Sequence, residues 1–146
     1  MARFQFRLQG VLNINEKIEN QKKQEYGLAR AVVEREIQKK QALLDEREMQ
    51  IDEFRRHIDG GISPQDSKVY NNYIEFLKEE AIRQDKVILD AKIIAEEKRK
   101  ELVEAMKERK KLEKLRERQY EEFLNEQKLA EQRIVDEVVS YRFDNK

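Results

Sequence analysis

The 146-residue chain has no cysteine and no tryptophan, one histidine, one proline and four glycines. Without thiols, and with His57 as the lone imidazole, there is no material for a disulfide framework, a His/Cys metal cluster or a His-dependent nucleophile. Glycine stands only at 10, 27, 60 and 61, and none of these opens a GxxxxGK[ST] loop, which excludes a phosphate-binding P-loop. Apolar runs stop at pairs and triples such as Val87-Ile88-Leu89. These are too short to span a bilayer, and the amino terminus shows no hydrophobic signal core. Zero cysteine fits a reducing compartment, so the cytoplasm is the expected location.

Charge is what the sequence has in quantity. Charged residues make up 42% of it and hydrophobic ones 38%, with Lys+Arg and Asp+Glu each numbering 31. A balanced chain rich in Glu, Lys, Arg, Leu, Ile and Ala has the profile of long helices, whereas disorder goes with net charge and few aliphatics. Ile37, Leu44, Ile51 and Ile58 recur every seven residues with Phe54 between, and Val33, Ala29 and Tyr26 continue the stripe backwards. It extends through Ile18 and Val11 to Leu8, with Lys22 and Asn15 also on it. The step from Val33 through Ile37 and Lys40 to Leu44 reads as a stutter, an inserted four that unwinds a left-handed supercoil. A second stripe runs Tyr70, Ile74, Leu77, Ala81, Ile88, Ala91, Ala95, Leu102, Ala105 and Leu112, then Phe123, Ala130, Ile134, Val138 and Tyr141.

Between the stripes lies His57 to Lys68, HIDGGISPQDSK, which holds the only proline and two of the glycines. Gly60 and Gly61 are expected to end one helix in conformations that glycine adopts cheaply. Ser63 caps the next, with Pro64 at its first position and Asp66 facing the positive end of the dipole. The expected fold is therefore all-α: a single antiparallel two-stranded coiled-coil hairpin over 1–146, with helix one at 3–58, a turn at 59–63 and a longer helix two at 64–141. At 1.5 Å per residue the arms measure roughly 80 and 115 Å. Facing residue numbers sum to about 123, which puts Phe4 near Gln119 and leaves residues after about 120 as an overhang. Such a hairpin has no cleft in which Glu79-Glu80 or Glu121-Glu122 would be desolvated, so these read as solubilising pairs and His57 as a surface residue near the tip. No catalytic site, metal or cofactor is expected.

The charge is unevenly spread. Residues 3–30 carry six basic and three acidic side chains, and residues 98–118 carry ten and five; in the expected register these two blocks face each other. Residues 31–97 carry a net −5 and residues 119–146 a net −3. Three readings fit the basic blocks: solvated helix faces, an end that enters an acidic site, or an electrostatic binder of nucleic acid or anionic membrane. Near the tip, Val69, Tyr73 and Phe76 widen the apolar face beyond what one partner helix covers, as a thickened core or a docking patch. The overhang keeps Tyr120, Phe123, Leu124, Ile134, Val135, Val138, Val139, Tyr141 and Phe143 without facing residues, to fold back, fray or bind a partner. A structural coiled coil forming parallel homodimers is the alternative to the hairpin.

The stretches FQFRLQGVLNINEKIENQ (residues 4–21), NNYIEFLKEEAIRQ (71–84) and LEKLRERQYEEFLNEQKLAEQRIVDEVVSYR (112–142) together resemble the flagellar export protein FliJ family, related to the stalk proteins of virulence type III secretion systems. The most specific pieces are Phe6-Arg7-Leu8-Gln9 with Val11-Leu12, and Asn72-Tyr73 followed by Phe76-Leu77. The resemblance implies a non-catalytic component of the flagellar export apparatus, built like the γ stalk of rotary ATPases and peripheral to the inner face of the membrane. It implies that the end carrying both termini enters the pore of the hexameric export ATPase FliI. On this sequence that end offers Arg3, Phe4, Phe6, Arg7, Lys110, Lys111, Lys114 and Arg118. A surface nearer the turn is implied to meet the export gate protein FlhA, and export chaperones are further implied partners. Aligned through the turn, the gate surface falls on Leu43, Arg47, Gln50 and Phe54, and on Phe76, Glu80, Arg83 and Val87, with Tyr73 beside them. Arg47, Glu80 and Arg83 are charged where the family pattern has apolar or neutral residues, and Phe54 also lies on the heptad stripe, where a core role fits equally.

Overall fold

The computed structural model describes residues 2–145. They form two helices, α1 over Gln9–Asp59 and α2 over Pro64–Asp144, with no strand among the described residues. The chain divides into two compact units: a turn unit, Lys22–Leu102, and a terminal unit made of Met1–Gln21 with Val103–Lys146. In each, a stretch of α1 lies antiparallel against a stretch of α2, so the helical hairpin is as expected.

The turn is built from the residues that announced it. Ser63 caps α2, its Oγ accepting a hydrogen bond from the Asp66 amide at 3.2 Å and its carbonyl accepting one from the Ser67 amide at 3.0 Å. Gly61 has φ of 85°, the left-handed region where a side chain is strained. Gly60 does not share that conformation. Its amide donates to the Arg56 carbonyl at 3.2 Å, extending the last turn of α1, so only one of the two glycines is needed for its backbone freedom.

In the turn unit α2 buries the stripe expected of it. Leu77, Ala81, Ile88, Ala91 and Ala95 are all buried, and Tyr70 and Ile74 are half-buried. α1 differs from expectation. Its inward face runs Lys22, Tyr26, Ala29, Val33, Glu36, Lys40, Leu43, Arg47, Ile51 and Phe54, all buried or half-buried, at spacings of three and four that alternate as far as Arg47. The extra four falls at Leu43–Arg47–Ile51, later in the helix than the expected Val33–Leu44 step. Glu36 is only 7% exposed, while Ile37 and Ile58 face solvent. The register follows from cross-helix pairs: Lys22 Nζ sits 3.3 Å from Glu101 Oε2 and Lys98 Nζ 3.7 Å from Glu25 Oε2, both matching the expected sum of about 123, and the Phe54 and Tyr70 rings lie 5.4 Å apart.

The terminal unit repeats the pattern. Leu12 and Glu19 are buried, at 3% each, and Asn15 is half-buried, whereas Val11, Ile14 and Ile18 are exposed. Val11 and Ile18, which the heptad reading puts inside, are therefore outside, because Leu12 and Glu19 take the inward positions, Glu19 being met there by Arg109 Nε of α2. α1 begins at Gln9, not at residue 3. Phe4 and Phe6 alternate with polar residues, a spacing that a helix splits across two sides. Outside the helix, Phe6 is buried, its carbonyl accepts from the Gln9 amide at 3.0 Å, and the Phe4 ring meets Tyr120 at 5.2 Å and Phe123 at 5.7 Å. Beyond Phe4's partners cover runs out: every described residue from 128 to 145 is exposed.

Because the seam is narrow, single apolar residues should matter strongly. Leu77→Ala is expected to lower unfolding stability by about 2–5 kcal/mol through cavity formation, and Ile82→Ala, on the exposed side of the same helix, by no more than about 0.5 kcal/mol. Urea titrations followed by circular dichroism measure both.

Candidate functional site

With two helices and shallow grooves, what a partner meets is side-chain surface, and it divides into a basic face in the terminal unit and an apolar face in the turn unit. On the terminal unit Arg3, Arg7, Lys111, Lys114 and Arg118 are exposed or nearly so, with Lys110 beside them on α2. Lys110, Lys111, Lys114 and Arg118 follow one another within about two turns of the helix, so α2 presents them along one side. Lys111 is partly neutralised by Glu108 at 3.1 Å. Phe4 and Phe6, which the resemblance groups with these cations, are turned to packing: they fix the lead-in segment that carries Arg3 and Arg7.

On the turn unit, Tyr73 and Phe76 stack with centroids 6.3 Å apart and an interplanar angle of 23°. Phe76 is 49% exposed, and Val69, Val87 and Ile94 are exposed with it; at 69, 73, 76, 87 and 94 these positions recur on one flank of α2. From α1, Leu43 joins Tyr73 across a shallow groove also lined by Ala42, Glu46, Leu77 and Gln84. Two of the three charged residues among the expected gate positions are tied to each other. Glu80 and Arg83 pair at 2.5 Å and so interrupt the apolar flank between Phe76 and Val87. Gln50 donates to Glu46 at 3.1 Å. Arg47 is half-buried, and its Nε is enclosed with no hydrogen-bond partner among the described residues. Phe54 is half-buried against Tyr70, which gives it the core role. Ile94 belongs to the face and escaped the sequence reading; the signal was its spacing of seven from Val87.

The seam beneath these faces is held by charge. Gln84 Nε2 donates to Glu36 twice, at 2.6 Å to Oε2 and 2.9 Å to the main-chain carbonyl, and Lys39 Nζ adds a contact at 3.3 Å. The Gln84 hydrogen bond, helped by Lys39 and Arg35 and opposed by desolvation, holds the Glu36 carboxyl below its usual range. Hydrogen bonding from Lys22 does the same for Glu101. Glu19 hydrogen bonding raises the Arg109 guanidinium further above neutrality, and Glu113 holds its other side at 2.8 Å. Lys40 reaches Asp85 at 2.7 Å. Among the described residues no group of His, Cys, Asp and Glu is arranged to hold a metal ion, and no helix is long and apolar enough to cross a membrane.

The family model described as "Flagellar FliJ protein" matches residues 4–146. The chain belongs to the FliJ family. Membership makes it a coiled-coil component of flagellar type III protein export, in a family that is not enzymatic. Among solved structures the chain is similar to CT670 from Chlamydia trachomatis, described there as a putative YscO homologue, with a TM-score of 0.62, 23% identity, and coverage of 94% of this chain and 93% of that one. At that identity the likeness bears on the fold, and it agrees with the two-helix architecture over nearly the whole length. No curated protein matches the chain.

The depressed carboxyls give the seam a pH dependence of definite sign. Glu36 and Glu101 in the seam, and Glu96 paired with Arg99 on its own helix, all lie below their ordinary value of 4.5 when folded, so the unfolded chain binds more protons around that pH. Their contribution is complete above about 4.5 and is lost as pH falls through the lower folded values. Stability measured against pH should drop on the acid side, and Glu36→Gln, which keeps an acceptor for Gln84, should make that acid limb shallower.

Proposed function

We propose that this FliJ-family chain is the non-catalytic stalk of the flagellar export apparatus: its terminal unit enters the central pore of the export ATPase FliI, and its turn unit contacts the gate protein FlhA. On this reading residues 1–146 act as one coiled-coil element in the cytoplasm, peripheral to the membrane-bound apparatus, and also meet export chaperones. The observation that carries it is the row of Lys110, Lys111, Lys114 and Arg118 on α2, together with Arg3 and Arg7 in the same unit, a cationic surface on paired helices suited to an acidic ring lumen. Family membership supplies the setting.

The same surface suggests how such a stalk acts. A ring of identical subunits around an asymmetric ligand cannot bind it identically at every position. Subunits that contact the Lys110–Arg118 row would be biased toward one conformation relative to those that do not, which shifts populations without chemistry by the stalk. The absence of a second imidazole, a thiol and a phosphate loop from the sequence supports a partner that alters the rates of an enzyme rather than being one. For the gate, the support is the exposed Tyr73–Phe76 stack with Val87 and Leu43 around it; aromatic residues with apolar neighbours are the usual anchors of a protein interface.

Two measurements test the two ends separately. Added to purified export ATPase, the chain should promote hexamer formation and raise ATP turnover, and a Lys110→Glu/Lys111→Glu/Lys114→Glu variant should lose most of that stimulation; no effect of the unaltered chain on either quantity overturns the pore reading. Phe76→Ala should weaken binding to the gate protein about tenfold or more, in the range of an aromatic anchor at about 1.4 kcal/mol per decade, with helicity retained. A loss of folding stability near 3 kcal/mol would instead mark Phe76 as core.

A further inference from the structure

The first residues of the terminal unit are fastened to α2 by a single ring. Ala2, Arg3 and Gln5 are exposed and Phe4 is half-buried. Residues 2–5 make no main-chain hydrogen bond among the described residues; such bonds begin at Phe6, whose carbonyl accepts from the Gln9 amide at 3.0 Å, and continue at Leu8, whose carbonyl accepts from the Leu12 amide at 2.9 Å. Phe6 is buried and anchors that turn. Ahead of it the hold is Phe4 alone, set edge-on to Tyr120 with centroids 5.2 Å apart and an interplanar angle of 68°, and tilted against Phe123 at 5.7 Å.

We propose that residues 2–5 are a hinged arm that opens and closes on α2 independently of the seam, with Phe4 as its latch and the Phe6–Gln9 turn as its hinge. Closing the arm orders the main chain of four residues, at a cost in conformational entropy for each. Against that stand the partial burial of one ring and two aromatic contacts, and no main-chain hydrogen bond is given up on opening. The two sides are of the same order, so both states are populated while the seam from Leu12 onward stays closed. What the latch covers gives opening a consequence. Past Phe123 the inward stripe of α2 continues through Gln127, Ala130, Ile134, Val138 and Tyr141 at spacings of three and four, and every described residue from 128 on is exposed. Tyr120 and Phe123 are the last aromatic contacts before that stripe runs bare, and opening withdraws the cover from both. Helix without tertiary cover is weakly held, so the arm sets how far along α2 fraying reaches. Arg3 rides on the arm, so opening also moves one of the exposed cations of this unit. The device is intrinsic to the chain and stands whether or not the terminal unit enters an ATPase ring.

The absence of tryptophan from the sequence allows a direct test with the full chain, because Phe4→Trp places a single indole at the latch. In rising urea its emission should move to the solvent-exposed wavelength before helicity, followed by circular dichroism on the same sample, begins to fall. Phe123→Ala added to Phe4→Trp should shift the emission the same way without urea. In a second variant, Phe4→Ala, hydrogen exchange of the amides of residues 119–127 should quicken by about tenfold or more, while the turn unit, residues 22–102, exchanges as before. Indole emission and helicity that change together overturn the proposal, since the arm would then belong to the cooperative fold. So does exchange at 119–127 that Phe4→Ala leaves unaltered, which would mean that the latch has no hold on the α2 end.

Discussion

Glu36 and Glu19 are the inward-facing residues on which the pairing of α1 with α2 turns. A carboxylate removed from water without compensation is costly enough to oppose folding, so each demands a particular partner: Gln84 for Glu36 and Arg109 for Glu19. Those partners stand 48 and 90 residues away. Sliding α2 by one helical turn in either unit would set the glutamate against aliphatic or unmatched positions and leave Gln84 or Arg109 without its acceptor. The apolar part of the seam resists such a slide weakly, because Ala81, Ala91 and Ala95 are small and alike. Register is thus written mainly in polar residues, as single buried polar positions do in coiled coils generally.

That arrangement has a consequence for the outside of the molecule. Where Glu takes the inward position, at 19 and 36, the adjacent Ile18 and Ile37 are left outside, and Val11 and Ile14 stand exposed on α1 with them. Along α2 the seam is filled largely by alanines, and the larger residues Phe76, Val87 and Ile94 stand on the flank. An antiparallel pair with a narrow, partly charged seam therefore keeps more apolar surface for partners than one with leucines inside. Dense ionic pairs such as Glu96–Arg99 and Glu80–Arg83 break that surface into pieces small enough to stay solvated.

The same division explains what the sequence made readable. The turn is legible because its signals are local: Ser63, Pro64 and Gly61 each act within a few residues, and each is found in its expected role. The α2 stripe is legible because its buried positions are apolar, from Leu77 to Ala95. On α1 periodicity finds Tyr26, Ala29, Val33, Ile51 and Phe54 but misses by one position elsewhere, choosing Ile37 over Glu36 and Val11 and Ile18 over Leu12 and Glu19, because it weighs a residue by its hydropathy. Whether a glutamate can be buried depends on a partner that no local window contains. Gly60 misleads for the opposite reason, since its neighbour alone supplies the left-handed turn. Of the candidate site, the cations and the Tyr73–Phe76 pair stand at the surface. Phe4, Phe6 and Phe54 are packing residues, and an aromatic in sequence does not declare which of the two it is.

At the α2 end the helix outlasts its partner. Residues 128–144 continue the helix with no tertiary cover, although an isolated stretch of that length is marginal in water. Continuity with the paired part removes the nucleation step, so the extension needs only propagation, and its helicity is coupled to that of the residues before it. Opening from the far end is then the least costly local fluctuation of the terminal unit. A partner that covers Ile134, Val138 and Tyr141 would suppress that fraying and favour an already helical shape, so less of its binding energy goes into ordering the chain. Whichever surface covers it, an uncovered stripe at the end of a paired one is already prepared for docking.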